Sequence, residues 1–361
     1  MTRSTLAVDL GAVRANAQRL IALAGRSRLW AVVKADGYGH GAVACAGAAL
    51  SAGAERLCCA TLSEARELRD VLGEAVAIVV LSPLEPGEEA AAHGFEIVVS
   101  SGADYARLRA SGIACDVHIK ADTGMGRWGM SPPDALAAGR ELAAGGGPLR
   151  LAGLMSHLAT ADDEPAFAAA QTEVFAALAR EFPPCPRHLA NSAAALALPE
   201  SRFDAMRCGI ALYGVSPFGN EPGAHGLTPA LRWTSRVAGL RDLAPGDSSG
   251  YGRRLIADRP LRVALIPVGY ADGYPRLASG RAEVLVRGRR RLVAATVSMD
   301  QLTCIVDRDV ELEDEVVMLG AQGSERIRAE ELAGHSETIG YEIVCATALA
   351  ARRGTRVYLD Q

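Results

Sequence analysis

The chain lacks an uncharged apolar run anywhere near the ~20 residues that a membrane-spanning helix needs, which argues against a helical membrane protein. It also lacks charge of one sign. Its 38 basic and 42 acidic residues leave a formal charge of −4, so no field is set up to hold nucleic acid or anionic lipid. The eight cysteines, at 45, 58, 59, 115, 185, 208, 304 and 345, make no C-x-x-C pair and no zinc-ligand spacing. No metal site is expected, and the thiols read as reduced small hydrophobes, with Cys208 next to Arg207 the one whose reactivity is worth checking. Internal repeats are absent, and low complexity does not extend beyond alanine-rich helices. The opening stretch "MTRSTLAVDLGAV" reaches an aspartate before any long apolar run. It does not read as a signal peptide, and a cytoplasmic location is expected.

What is present is apolar mass. Of the 361 residues, 49% are hydrophobic, enough for a large core and, at this length, for two domains. From residue 10 to about 210, short apolar runs alternate with helical patterns. Val13, Ala17, Leu20, Ile21 and Ala24 share one face of a first helix that Asp9 is placed to cap. The expected strands are Leu29–Val33, Arg56–Ala60, Ala77–Leu81, Glu96–Ser100, Cys115–Lys120, Leu151–Ser156, Arg187–Asn191 and Asp204–Cys208. Eight strand–helix alternations predict an α/β fold, a (β/α)8 TIM-type barrel over residues 1–228. A Gly- and Pro-rich segment, 216–230, reads as the linker. Beyond it the runs "ALRWTSRVAGLRDL", "AEVLVRG", "RLVAATVSM", "LTCIVDRDV" and "DEVVMLG" are short and β-branched, separated by turn residues. They predict a mostly β C-terminal domain over 229–361, with one helix near 326–335.

Barrel enzymes place their chemistry at the carboxyl ends of the strands. Those positions here carry Lys34, Lys120, His157, Asn191-Ser192 and Arg207-Cys208-Gly209-Ile210. The first sits in "AVVKADGYGHG" (31–41), an ammonium group at the end of an apolar strand followed by three glycines. Desolvation lowers a lysine's pKa, and a neutral amine condenses with an aldehyde. The glycines allow backbone to approach a ligand, and Tyr38 offers a phenol to a phosphate oxygen. Each residue also has a structural explanation: a snorkelling Lys34, a strand-end His157, an Asn191-Ser192 helix cap, an ion-paired Arg207, a loop aromatic at Tyr251, core filler at Met299, a turn at Asp300.

"AVVKADGYGHG" resembles the pyridoxal-phosphate attachment motif of alanine racemases. The similarity continues in order through "KADTGMGRWG" (120–129), "SHLATAD" (156–162), "HLANSAA" (188–194), "MRCGIALYG" (206–214), "GYGRR" (250–254), "VGYADGYPR" (268–276), "VSMDQ" (297–301) and "TIGYEI" (338–343). The resemblance implies a homodimeric enzyme that binds pyridoxal 5'-phosphate and interconverts L- and D-alanine, feeding peptidoglycan. By the same resemblance Lys34 would hold the cofactor and serve as one base, and Tyr251 of the second subunit as the other. Tyr38, Ser192, Gly209, Ile210 and Tyr341 would contact the phosphate, with His157 against the ring, Asn191 beside it and Arg207 at the pyridine nitrogen. Arg127 would help place Tyr38 or the substrate carboxylate. Met299, Asp300, Tyr270 and Tyr274 would line the substrate entrance, and Lys120 matches a position carbamylated in some members.

These roles are chemically coherent. Moving a proton from one face of a carbon to the other takes two opposed bases, and a phenol needs positive neighbours or polarising hydrogen bonds to act as one. A guanidinium keeps its proton, so a pyridine facing Arg207 stays a weak electron sink, which would suppress transamination. Trp128 stands where the family often has a smaller aliphatic residue, and Gly250 where serine is frequent, so the pocket could differ in shape. A serine or broad-specificity racemase, a related decarboxylase and a non-catalytic pyridoxal-phosphate carrier are the competing readings. The decarboxylases' cysteine-containing C-terminal motif is missing, and carriers resemble the barrel alone.

Overall fold

A computed structural model of the chain describes residues 2–360. Eight parallel strands close into a barrel: Arg28–Val32, Arg56–Cys59, Ile78–Val80, Glu96–Val99, Cys115–Lys120, Leu149–Met155, Arg187–His188 and Ala205–Cys208. Closure comes from the first and last of these, with Leu29 opposite Met206 and Ala31 opposite Cys208. Parallel strands covered by helices are buried on both faces and so read as continuous apolar runs; Ile78, Val79 and Val80 are all buried. The (β/α)8 expectation therefore holds, with strand ends shifted by at most three residues. The largest shift is at the seventh strand, which is only Arg187–His188.

The helices form where the sequence signals them. Leu62–Leu72 opens with a capping box in which Glu64 N–H donates to Thr61 Oγ1 at 3.3 Å and Thr61 N–H to Glu64 Oε2 at 3.2 Å. Glu64 Oε1 also accepts from Ala35 N–H at 2.7 Å, so this cap ties down the turn after Lys34. Asp9 Oδ1 accepts from Ala12 N–H at 3.0 Å at the start of Leu10–Ala24. One face of that helix, Val13, Ala17, Leu20 and Ala24, is buried.

The chain divides into two compact units. One comprises Val13–Gly37 and Ala42–Leu212 and contains the barrel; the other holds the N-terminal segment to Ala12, Tyr38–Gly41 and the chain from Tyr213 onward. A linear boundary at residue 228 does not separate them, because Thr5–Asp9 belongs to the β unit. It pairs antiparallel with Leu231–Arg236 and parallel with Thr355–Leu359. The sheet runs Arg289–Leu292, Glu283–Val286, Glu315–Gln322, Leu231–Arg236, Thr5–Asp9, Thr355–Leu359, with Glu325–Ile327 joined to Glu315–Gln322. A smaller sheet consists of Gly239–Leu243, Leu261–Ile266 and Leu302–Val306. Two features of this unit differ from the expectation. "RLVAATVSM" is a strand only through Leu292. A second helix, Gly340–Arg353, follows Ala329–His335 and buries Ile343, Val344, Thr347 and Ala350 along one face.

Candidate active site

Lys34 follows the first barrel strand, separated from it by Val33 alone. The backbone then turns left-handed through residues that have a Cβ, with φ of 52° at Ala35 and 53° at both Asp36 and Tyr38. Consecutive non-glycine residues in this region carry strain that the surroundings must hold. Gly37 N–H donates to Val33 O at 2.9 Å, Ala42 N–H to Asp36 Oδ1 at 3.1 Å, and Ala35 is held by Glu64. Lys34 and Lys120 are the only lysines in the chain. Both stand at carboxyl ends of barrel strands, a signal that was present in the composition.

Lys120, at the end of the fifth barrel strand, is buried. Burial, reinforced by the charges of Arg207, Arg127 and Lys34, lowers its pKa to about 8 against the opposing pull of Asp122. His157, partly exposed, is pushed well below the ordinary histidine value, first by burial of the ring and then by Arg207, Lys120, Arg127 and Lys34. The imidazole is therefore neutral at pH 7, and four cations act on it together. Arg127 itself is exposed, in the loop that Asp122 organises by accepting from the N–H groups of Gly124, Met125 and Gly126.

Arg207 lies in the last barrel strand and is buried. Its Nη1 donates to His188 Nδ1 at 2.8 Å and His188 O at 2.6 Å. Its Nη2 donates to Ser156 O at 2.7 Å, Leu189 O at 3.1 Å and His157 Nδ1 at 3.2 Å. Burial lowers its pKa to about 10, so it stays charged at neutral pH. His188 opens the quoted segment "HLANSAA", yet the residue types and spacing there signal only a cap, and its contact with Arg207 was not foreseen. Cys208 is fully buried and its thiol is pushed up to about 12 by that burial, which makes it inert.

Asn191 caps Ser192–Ala197, its Oδ1 accepting from Ala194 N–H at 3.0 Å. The Ser192 hydroxyl accepts from the N–H groups of Gly209 at 3.1 Å and Ala211 at 3.3 Å, and Ile210 lies between these two donors. Backbone donors converging beside a hydroxyl at strand ends suit an anion such as phosphate.

In the β unit, Tyr38 is buried, with its ring 5.2 Å from that of Tyr213 and 6.2 Å from that of Tyr341. Gly39 makes this packing possible: at φ 81° a Cβ there would sit 2.1 Å from Val344 O. Tyr251 opens the short turn Tyr251–Arg253 and is 75% exposed; Tyr270 and Met299 are exposed as well. Asp300 pairs with Arg353 at 2.5 Å. Tyr274 differs from the other entrance residues. It is fully buried, its ring 6.0 Å from that of Trp233. Its position is that of a core residue, because the apolar ring fills the interior of its own sheet unit. Among the described residues, no group of three or more His, Cys, Asp or Glu is arranged to hold a metal. No helix there is long and apolar enough to cross a membrane.

A parallel barrel with cations and a neutral imidazole gathered at its strand ends defines the class, a barrel enzyme that acts on a small molecule. Residues 8–217 match the family model for the alanine racemase N-terminal domain and residues 230–358 that for the C-terminal domain. The chain is 43% identical to the alanine racemase of Symbiobacterium thermophilum, over 97% of this chain and 96% of that protein. It superposes on the crystal structure of alanine racemase from E. faecalis with a TM-score of 0.93 at 32% identity, covering 99% and 98% of the two chains. A Bartonella henselae alanine racemase with covalently bound pyridoxal phosphate superposes with a TM-score of 0.90 at 27% identity, covering 99% and 100%. The chain belongs to the alanine racemase family, amino-acid isomerases that interconvert L- and D-alanine.

Proposed function

We propose that the chain is a pyridoxal-phosphate-dependent alanine racemase that works as a cytoplasmic homodimer. In this reading it uses Lys34 and the Tyr251 of a partner subunit as opposed bases and supplies D-alanine for peptidoglycan. The observation that carries the proposal is the gathering of Lys34, Lys120, Arg127 and Arg207 around the neutral His157. Like charges brought together in a partly buried site call for an anion, and the cofactor phosphate and substrate carboxylate are anions. The Bartonella henselae neighbour with its covalently bound cofactor supports the same choice.

The donor set suits pyridoxal phosphate. Ser192 Oγ and the N–H groups around Gly209 and Ile210 would take the phosphate, with Tyr38 and Tyr341 adding phenols; Asn191 and His157 would flank the ring. When bound, the cofactor supplies a conjugated ring that takes up the charge left as the α-proton departs. Lys34 Nζ would hold it and move the proton on one face, and Tyr251 Oη would do so on the other. Arg207 would face the ring nitrogen and keep its own proton. Arg127 would place Tyr38 or the substrate carboxylate, and Met299, Asp300 and Tyr270 would shape the entrance. A phenol as exposed as Tyr251 is solvated by water, and enclosure by a partner subunit would provide the drier environment that a base requires.

The test is direct because only two lysines exist. Purified protein supplied with the vitamer, reduced with borohydride and mapped by mass should carry the label on Lys34; a label on Lys120, or none, refutes the assignment. A chiral assay over a panel of L-amino acids separates alanine from serine or broad specificity, and a mere carrier would leave L-alanine optically unchanged. Mixing Lys34→Ala and Tyr251→Phe subunits should restore about a quarter of wild-type activity after random exchange, because one site of each hybrid dimer regains both bases. No recovery after verified exchange rules out a shared site.

A further inference from the structure

Arg207 is a buried cation with no carboxylate beside it. Among the described residues it donates only to backbone carbonyls and to the imidazoles of His157 and His188. A buried charge without a counter-charge is costly. The nearest acid along its hydrogen bonds is reached through two histidines. His188 Nε2 lies 3.0 Å from His118 Nδ1, and His118 Nε2 lies 2.7 Å from Glu96 Oε2. Both rings are fully buried.

The proton positions follow from the ends of the chain. A guanidinium only donates, so His188 Nδ1 accepts. Burial and the charge of Arg207 keep His188 neutral, so its single ring proton is on Nε2 and points at His118 Nδ1. That nitrogen accepts in turn, which leaves the His118 proton on Nε2, pointing at the Glu96 carboxylate. Every bond runs in one direction, from cation to anion, and hydrogen bonds aligned this way polarise one another. The fold makes room for the relay. A Cβ on Gly153 would sit 2.3 Å from His118 Nδ1, and the strand pairing shifts register between Val117 and His118. Trp30 packs edge-on against His118, centroids 5.7 Å apart, and lies tilted over His188 at 4.4 Å. On its far side Glu96 accepts from Arg56 Nε at 2.9 and 3.0 Å.

We propose that Glu96 is the remote counter-ion of Arg207, acting across the barrel through His118 and His188, each locked in its Nε2–H tautomer. This rests on the reading that Arg207 faces the cofactor ring nitrogen. Glu96 is then a positioning residue. Its negative charge makes the guanidinium hold its proton more tightly, which keeps that proton off the ring and restrains side reactions. The charged and titratable groups facing the relay are Arg207, Arg56 and Glu96 themselves, with Cys58, Cys208, His157 and Lys120 coupled to Arg207.

Two arms test this. Long-range 1H–15N correlation spectra of the full chain, with and without the vitamer, should show both histidines neutral with the proton on Nε2. A proton on Nδ1 of either ring overturns the proposal, and this arm reads even if the protein takes up no cofactor, which would refute only the proposed function. In the second arm, Glu96→Gln removes the charge while keeping the shape. The ratio of transamination to racemisation should rise about tenfold, and the absorption of bound pyridoxal phosphate should change its pH dependence, while KM for L-alanine moves less than twofold. Arg56→Gln, which removes the other partner of Glu96 and leaves the relay intact, should keep the wild-type ratio and spectrum. A wild-type ratio in Glu96→Gln, or equal changes in both variants, overturns the proposal in favour of a purely structural network.

Discussion

Replacing Lys120 with methionine should stabilise the protein at neutral pH, by an amount that disappears in alkali. In the folded chain the amine has a pKa of about 8, lowered by burial and then by Arg207, Arg127 and Lys34. In the unfolded chain it returns to the ordinary lysine value of ~10.4. Between those two pH values the unfolded chain holds a proton that the folded chain lacks, so wild-type stability rises with pH across the window. Below about pH 8 the folded protein bears the full cost of a charged amine in a cationic setting. At 1.36 kcal/mol per pH unit that cost is ~3 kcal/mol, an upper bound because the side chain relaxes and water penetrates. The assay is urea unfolding of wild type and Lys120→Met at pH 7, 8, 9 and 10, at one protein concentration and in CO2-free buffer. The stability difference should be largest at pH 7, fall steadily above pH 8 and level off near pH 10 at a constant set by methionine's packing. Taking the difference cancels the titrating groups that lie outside the field of Lys120, leaving Lys120 and the His157 it acts on. A gap that does not change with pH would refute the electrostatic account of this site. The same amine, part neutral at pH 7.5, is positioned to add CO2, and 13C-bicarbonate should give a carbamate signal in wild type that Lys120→Met lacks.

Gly39→Ala should destabilise the β unit by ~2–4 kcal/mol in urea unfolding, because the new Cβ meets Val344 O at a left-handed φ; a change below the measurement error would show that the turn relaxes freely. Tyr274→Phe removes a buried hydroxyl that has no hydrogen-bond partner among the described residues. It should leave kcat and KM unchanged and stabilise by up to ~1 kcal/mol, whereas a loss of activity would return Tyr274 to the substrate path. Ser192→Ala should raise the Kd for pyridoxal phosphate about tenfold by absorbance titration, with activity recovered at excess vitamer, since one hydrogen bond to an anion is lost; an unchanged Kd places the phosphate elsewhere.

Much of this was legible along the chain because the signals are local. Ile78, Val79 and Val80 announce a strand buried on both faces, and Thr61 with Glu64 announces a helix start. Lys34, Lys120, His157, Asn191 and Arg207 mark strand ends because polar groups interrupt apolar runs there. The second helix of the β unit was missed because the apolar face Ile343, Val344, Thr347 and Ala350 is mixed with alanine and threonine, weakening the periodic contrast. Tyr274 was misread because a tyrosine in a motif looks the same from sequence whether its ring faces a channel or a core.

The amino-acid sequence by itself determined the order of strands and helices in the barrel, the two-lysine economy of the barrel mouth and the family, all carried by neighbours in the chain or by ordered motifs. Tertiary structure alone decided that Thr5–Asp9 belongs to the C-terminal sheet, that Tyr274 is interior, and that Glu96, His118, His188 and Arg207 form one hydrogen-bonded line. Those facts depend on the pairing of strands far apart in sequence, and the direction of each hydrogen bond exists only once barrel closure brings the rings to within 3 Å of their partners.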